Sequence, residues 1–200
     1  MMSISTDPMI SRVERRKQYT HAIIKRAAFE LLTECGYDAL TIQAITDRAD
    51  VGYGTFYLHF KDKDEIVWAV LQDMGDDFMA TVNAQALTLP SPRREYVSWV
   101  ILFAYAEQNR DGYLKLFGDG GSATLNRKMM DYLAALHIDN IQRGLYTAEL
   151  DLPVDVLAQF IVGALWRLLI WWLQQPNGRT PEDMAGLLFE MVYHQPPPEG

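Results

Sequence analysis

TIQAITDRADVGYGTFYLHFKDK, residues 41–63, holds two short helical patterns around a tight turn, closed by aromatic and cationic side chains. Thr41 has the hydroxyl that caps the orphan amides of a helix carrying Ile42, Ile45 and Ala49 on one face. Asp50 stands where the chain turns sharply, and Asp tolerates the left-handed conformation that ends such a helix. Val51 then plugs the angle between the helices. Gly52, Tyr53, Gly54 and Thr55 open the second helix with little bulk, so its amides can come close to a phosphate or a groove floor. Phe56 and Phe60, four apart, form the buried side. Tyr53, Thr55, Tyr57 and His59 offer hydroxyls and an imidazole on the other, with Lys61 and Lys63 at the rim. Such groups suit phosphates and base edges in a major groove, so the pattern is that of a DNA-reading unit.

Residues 23–66, IIKRAAFELLTECGYDALTIQAITDRADVGYGTFYLHFKDKDEI, resemble the DNA-binding domain of the tetracycline-repressor (TetR) family of bacterial regulators. The resemblance rests on Ala27-Ala28, Leu31-Leu32, Gly36, Thr41, Ile45, Val51 and the run Gly54 to Phe60. It implies that Thr41, Tyr53, Gly54, Thr55, Tyr57, His59 and Lys63 fall where family members touch DNA. Gln43 is carried with them as a candidate. Three positions depart from the family pattern: Ala44 replaces an acidic residue, Asp50 a glycine, and Gly52 a serine or threonine cap, each weakening local capping by about 1 kcal/mol. The plainer roles stay open, Tyr57 packing at a rim and His59 serving structure alone.

The chain has 200 residues, 49% apolar, and a net charge of −8, which looks wrong for a DNA binder. Its distribution answers that: residues 1–67 hold 9 Lys+Arg against 10 Asp+Glu, the remainder 9 against 16. Within the first part Arg12, Arg15, Arg16, Lys17, Lys25 and Arg26 face Glu14 alone, a cationic patch beside the reading unit. The acidic second part would repel DNA and help to orient docking. The single cysteine, Cys35, lies at helical spacing from Ile23, Ala27 and Leu31 and reads as a small core residue more than as a redox sensor. With one cysteine no internal disulfide can form, and a cytoplasmic home is expected. No apolar run marks Met1 to Ser11 as a signal peptide. Residues 157–173, LAQFIVGALWRLLIWWL, are apolar almost all round, but Arg167 and a length of 17 residues argue for a buried helix over a membrane span.

The expected fold is all-α, with about nine helices. Residues 1–61 make a three-helix helix-turn-helix domain with a basic arm, 62–195 a helical ligand-binding and dimerisation domain, and 196–200 a Pro-rich tail. Asp62 and Glu65 form a capping box that starts a long linking helix. Ser91-Pro92 caps the next. The segment from Gly112 to Ser122 reads as loose, with an apolar patch at Tyr113, Leu114, Leu116 and Phe117 before a glycine loop. A helix follows from Leu125 to about Leu145, another from near Pro153 to before Pro176, and Thr180-Pro181 caps the last.

A helix-turn-helix reads two half-sites about 34 Å apart, which calls for a homodimer on a palindromic operator. The last two helices resemble the pair that forms the family's four-helix interface, giving Phe160, Ile161, Leu165, Leu168, Leu169, Trp172, Met184, Leu187, Leu188 and Met191 as seam candidates. The stretch Phe160 to Arg167 with Trp171-Trp172 resembles the C-terminal region of one TetR subclass. The competing reading makes the first of these helices the protomer's own core. Trp99, Phe103, Tyr105, Phe117, Met129, Met130, Tyr132, His137 and Trp166 are candidates for lining a cavity for a hydrophobic or aromatic effector, or are plain core. His21, His59, His137 and His194 are scattered and no acid pair or metal-ligand cluster stands out, so no enzyme, metal or cofactor is expected. The expected function is a ligand-responsive repressor that leaves its operator when the effector binds. The alternative is a protein of the same fold that is controlled by a protein partner or organises the nucleoid.

Overall fold

The structure, a computed structural model, describes residues 11–119, 121–146, 152–175 and 178–198, and of Asp77 the backbone alone. The arm before Ser11, Pro176-Asn177 and the last two residues of the tail lie outside the described residues. Among those described, nine helices and no strand occur, in the order α1 (Arg12–Ala39), α2 (Ile42–Ala49), α3 (Tyr53–Tyr57), α4 (Lys63–Ala86), α5 (Arg93–Gln108), α6 (Arg110–Phe117), α7 (Ala123–Gln142), α8 (Val154–Gln174) and α9 (Pro181–Tyr193). The chain forms two compact units, Met1–Gln72 and Asp73–Gly200, so α4 begins in the first and continues into the second.

In the first unit Ser11 caps α1, its hydroxyl accepting from the Glu14 amide at 3.1 Å. The helix buries Ile24, Ala27, Ala28, Leu31 and Leu32. It breaks at Gly36, whose φ of 78° suits glycine alone. The break corrects the expectation for Cys35. The buried face runs from Leu32 to Gly36, and Cys35 is exposed, its thiol directed at the Leu31 carbonyl at 3.0 Å. Leu40, Ile45, Phe56, Phe60, Ile66, Val67 and Val70 complete the core. Outside it, Arg48 on α2 grips Glu34 of α1 through two bonds, 3.0 and 2.9 Å, and reaches Glu30 at 3.5 Å. Two guanidinium groups hold these carboxyls below their usual range, Glu30 first through Arg26 and then Arg48, and Glu34 through Arg48. Arg26 pairs with Glu30 at 2.9 Å, so the cationic patch of α1 carries more internal neutralisation than Glu14 alone supplies.

Asp62 accepts from the Glu65 amide at 2.8 Å and starts α4 as expected, but the reciprocal half of the box is displaced by one residue: Glu65 accepts from the Lys61 amide. Tyr37 donates to Asp64, and Lys63 lies 4.0 Å from the Tyr37 ring centre while donating to its carbonyl at 3.1 Å. These contacts pin the start of α4 to the end of α1.

In the second unit α8 is central. Its buried residues include Leu157, Ala158, Ile161, Val162, Leu165, Trp166, Leu169, Ile170, Trp172 and Leu173, and it packs on α7, α6 and α5. It is also the one helix among the described residues long and apolar enough to cross a bilayer; more than half of its apolar window is buried by the protein itself. Helix α9 packs on α5 and begins at a capping box in which Thr180 and Asp183 each accept from the other's backbone amide. Ser122 caps α7 through the Leu125 amide at 3.2 Å.

Two expectations for this unit need correction. Residues 110–117 are a helix, α6, because Leu116 and Phe117 have α7 and α8 to bury against. The chain then folds back so tightly that a Cβ on Gly118 or Gly121 would meet a backbone carbonyl oxygen at 2.4 or 2.1 Å. Ser91 does not cap α5: Pro92 holds that position without a side-chain bond, and the Ser91 hydroxyl donates to the buried Glu95 carboxylate.

Candidate functional site

The first unit turns one surface of α2 and α3 outward by local geometry alone. The Thr41 hydroxyl accepts from the Ala44 amide at 3.1 Å and starts α2. Asp50 ends it in the left-handed region (φ 53°, ψ 49°), donating its amide to the carbonyls of Asp47 and Thr46, and Val51 donates to Thr46 at 3.1 Å. Gly52 opens α3 with an extended backbone and no side-chain cap, the cost foreseen from its lack of a hydroxyl. Phe56 and Phe60 are buried, ring centres 5.8 Å apart. On the other side Tyr53 and Tyr57 are 45% and 52% exposed, with ring centres 5.7 Å apart. A Cβ on Gly54 would meet nothing within 4 Å.

The DNA candidates sort by freedom. Thr41, Gln43, Tyr53, Gly54 and Tyr57 are exposed; Thr55, His59 and Lys63 are half-buried. Gln43 donates to Asp47 at 2.7 Å on the same helix. Lys63 is committed to Tyr37, so its charge is positioned by the fold. Burial, then the neighbouring Lys17, lowers the His59 pKa. Sequence reasoning missed Leu58, 78% exposed between Tyr57 and His59, and His21, whose ring lies 5.9 Å from His59 and stacks on Phe60 at 4.6 Å. An apolar side chain inside an aromatic motif reads as core, and nothing linear ties α1 to the end of α3.

In the second unit the effector candidates do not converge. Trp99 lies against Phe189 and Tyr193 of α9, and Phe103 lies edge-on to Trp172 at 5.5 Å. His137 is buried beside Tyr146 at 5.2 Å, its pKa pushed down to about 4 by desolvation. Met129 and Met130 are half-buried, Met130 against Ala134, Ala158 and Val162. Tyr132 is 38% exposed, because α7 turns it away from the face that buries Ala134 and His137. Phe117 and Trp166 do meet, edge to face at 4.9 Å, and belong to a run of rings that passes from Phe78 on α4 through Tyr105 and Tyr113 to α8. Burial raises the Tyr113 pKa above its ordinary value. Asn126 accepts from the Trp166 indole at 3.1 Å and donates to the Phe117 carbonyl at 3.4 Å. Phe78 and Asn126 carry no signal in sequence, and the glycines around Tyr113 read as a loose segment.

The seam candidates also divide. Ile161, Leu165, Leu169, Trp172, Met184 and Leu188 are buried inside the protomer, so they cannot form an exposed seam; α5 and α7 already cover that side. Phe160 is 65% exposed, and Leu187 and Met191 are exposed as well. A groove of about 340 Å³ runs between α8 and α9, lined by Leu168, Trp171, Arg179, Met184, Leu187, Glu190 and Met191.

Against known proteins, residues 24–70 match the family described as bacterial regulatory proteins, tetR family, and residues 99–194 a family described as transcriptional regulator C-terminal region. The uncharacterised HTH-type transcriptional regulator YdeS of Bacillus subtilis (strain 168) is 34% identical, covering 88% of this chain and 91% of its own. The chain belongs to the TetR family. It is therefore a DNA-binding transcriptional regulator of helix-turn-helix type. The TetR regulator of Streptococcus agalactiae 2603V has a similar structure, TM-score 0.63 at 26% identity over 90% of this chain and 97% of that one. Thermus thermophilus FadR, a repressor in complex with lauroyl-CoA, shares the fold at TM-score 0.63 and 18% identity, over 90% and 99% of the two chains. Among the described residues no cluster of three or more His, Cys, Asp or Glu is placed to hold a metal.

Proposed function

We propose that this TetR-family chain works as a homodimeric, ligand-responsive repressor that reads a palindromic operator and leaves it when a small hydrophobic or aromatic molecule enters the second unit. The observation that carries the reading is the outward face of α3: Tyr53 and Tyr57 exposed side by side, Gly54 open between them, and the ring pair Phe56 and Phe60 holding the helix from behind. Hydroxyls at Thr41, Thr55, Tyr53 and Tyr57, with Gln43, His59 and Lys63, give both phosphate and base-edge partners.

Pairing is assigned to the apolar side chains left bare on α8 and α9, Val156, Phe160, Leu187 and Met191, with Leu168, Leu187 and Met191 lining the groove between the two helices. Exposed apolar side chains of this size on a regular spacing call for a partner surface. The effector is assigned to the aromatic run from Phe78 to Trp166. Its rings meet at tilted and edge contacts that a flat or flexible apolar molecule can replace, and Phe78 sits on α4, the helix shared with the reading unit. The acyl-CoA ligand of T. thermophilus FadR is compatible with such a lining, but at that identity the ligand class here rests on the rings. Coupling requires only that the effector bind the released state better, typically by ~1–3 kcal/mol.

The test combines sedimentation with release. The protein alone should sediment as a dimer, two copies should bind one palindromic duplex, and Phe160→Asp should give monomers with weakened operator binding. Challenge of the complex with a panel of phenols and acyl thioesters should lower affinity about 5–150-fold for at least one class, and Trp166→Ala should abolish that response. A wild-type protein that stays monomeric on DNA would contradict the dimeric reading.

A further inference from the structure

The reading face does not exhaust the chemistry at the end of α3. His59 closes that helix two residues after Tyr57, and the fold sets it against α1, where the His21 ring lies 5.9 Å away, tilted by 58°. His21 stacks on the buried Phe60 ring at 4.6 Å, so its position is set by the core of the unit. Lys17 stands four residues before His21 on the same helix and is the charge that acts on His59 from α1. Both imidazoles are half-buried and Lys17 is exposed. Three groups that can each be cationic are thus gathered from two helices, and the groups acting on His59 include no carboxylate. On its own segment the nearest charge, Lys61, is again positive. The Lys17 charge so placed disfavours the imidazolium of His59 until an anion arrives.

We propose that Lys17, His21 and His59 form one phosphate-gripping subsite of the DNA interface, and that occupying it takes up a proton, so that operator affinity rises as pH falls. The proposal rests on the DNA reading of the first unit. In the free protein burial and Lys17 keep the imidazole of His59 largely neutral at neutral pH. A DNA phosphate supplies the opposite charge and an acceptor, which favours the imidazolium and makes both ring nitrogens donors. Linkage then fixes the sign. Where the complex binds more protons than the free protein, affinity increases with acidity by up to about tenfold per pH unit for each proton taken up. His21, on the neighbouring turn of α1, shares the same phosphate and holds His59 towards it.

The experiment is a titration of the full chain with its selected duplex between about pH 8 and pH 6 at fixed ionic strength, within the range where imidazole changes charge. Circular dichroism at each pH reports the fold. Wild type should bind about 3–30-fold more tightly at the acid end. His59→Gln should bind with a flat profile, His21→Gln with a shallower one, and Lys17→Gln with a salt slope reduced by about 1. In parallel the His59 ring resonance should titrate at higher pH when the duplex is added. A flat wild-type profile with strong specific binding, a slope that survives in the His21→Gln, His59→Gln double variant, or a His59 titration unmoved by DNA would overturn the subsite and leave the DNA reading intact. An equal shift with inorganic phosphate alone would overturn its assignment to DNA. Absence of specific binding at every pH would overturn the DNA reading, and the subsite with it.

Discussion

The two units use the same side chains in opposite ways. In the first, Tyr53 and Tyr57 stand outside on a five-residue helix while two phenylalanines hold it from behind. In the second, Trp99, Phe103, Phe117 and Trp166 are all buried, and their contacts join residues far apart in the chain, such as Asn126 and Trp166. A surface that reads a ligand as regular as DNA can be encoded within some twenty consecutive residues. A chamber for a small molecule needs several helices to converge, so its parts are spread over the whole domain.

The comparison breaks most sharply at Phe56, fully buried behind the reading face. Phe56→Ala should cost about 3–5 kcal/mol, and hydrogen exchange should show α2 and α3 losing protection while α8 keeps it. Equal loss in both units would mean that they do not behave as separate compact bodies. In the second unit His137 supplies a pH test. Its folded pKa, lowered to about 4, lies below the unfolded value near 6.5, so the unfolded chain takes up the proton first. Its stabilising contribution is full above about pH 6.5 and drains away as pH falls towards 4, by about 3 kcal/mol in all. Urea unfolding of wild type and His137→Gln at both ends of that range should show the difference; parallel losses would reject it.

Smaller effects should separate stability from binding. Asn126→Ala leaves the Trp166 indole without its acceptor and should cost about 1–3 kcal/mol in thermal unfolding, with operator affinity unchanged in the absence of effector. Tyr57→Phe should do the reverse, lowering operator affinity about five- to tenfold, the worth of about 1 kcal/mol, with the unfolding midpoint unmoved. Gly52→Ser should stabilise α3 by only a few tenths of a kcal/mol, roughly the difference between these residues as N-caps, since its Cβ would meet only Thr55 Oγ1 at 3.9 Å.

The helices were legible because their signals are local. Thr41 and Asp50 bound α2 and Thr180-Pro181 starts α9, and each does so in the structure through the bond or dihedral that its side chain suggests. Where reading failed, a neighbour distant in sequence decided. Helices α7 and α8 gave the segment at 110–117 a surface to fold on, while Cys35 is the local exception, set off the buried face beside the break at Gly36. Lys63 was committed by Tyr37, and His21 was brought to His59, by the packing of α1 on the helix pair. On α8 and α9 the apolar periodicity was visible, but it could not say which side faces the protomer's own core, and six seam candidates, four on α8 and two on α9, lie on that side. The effector candidates failed in the same way. Aromatic and methionine content marked the region, and only Phe117, Trp166 and Tyr105 share one run of rings.

The central claim is that the outward face of α3 reads an operator as one half of a symmetric pair. Selection from random duplex DNA by the purified protein, followed by titration of the enriched site across salt concentrations, tests it directly. The account predicts enrichment of a palindrome with half-sites centred about one helical turn apart, and an affinity that falls steeply with salt as phosphate contacts require. Enrichment of an asymmetric site, or no enrichment by a folded protein, would contradict it.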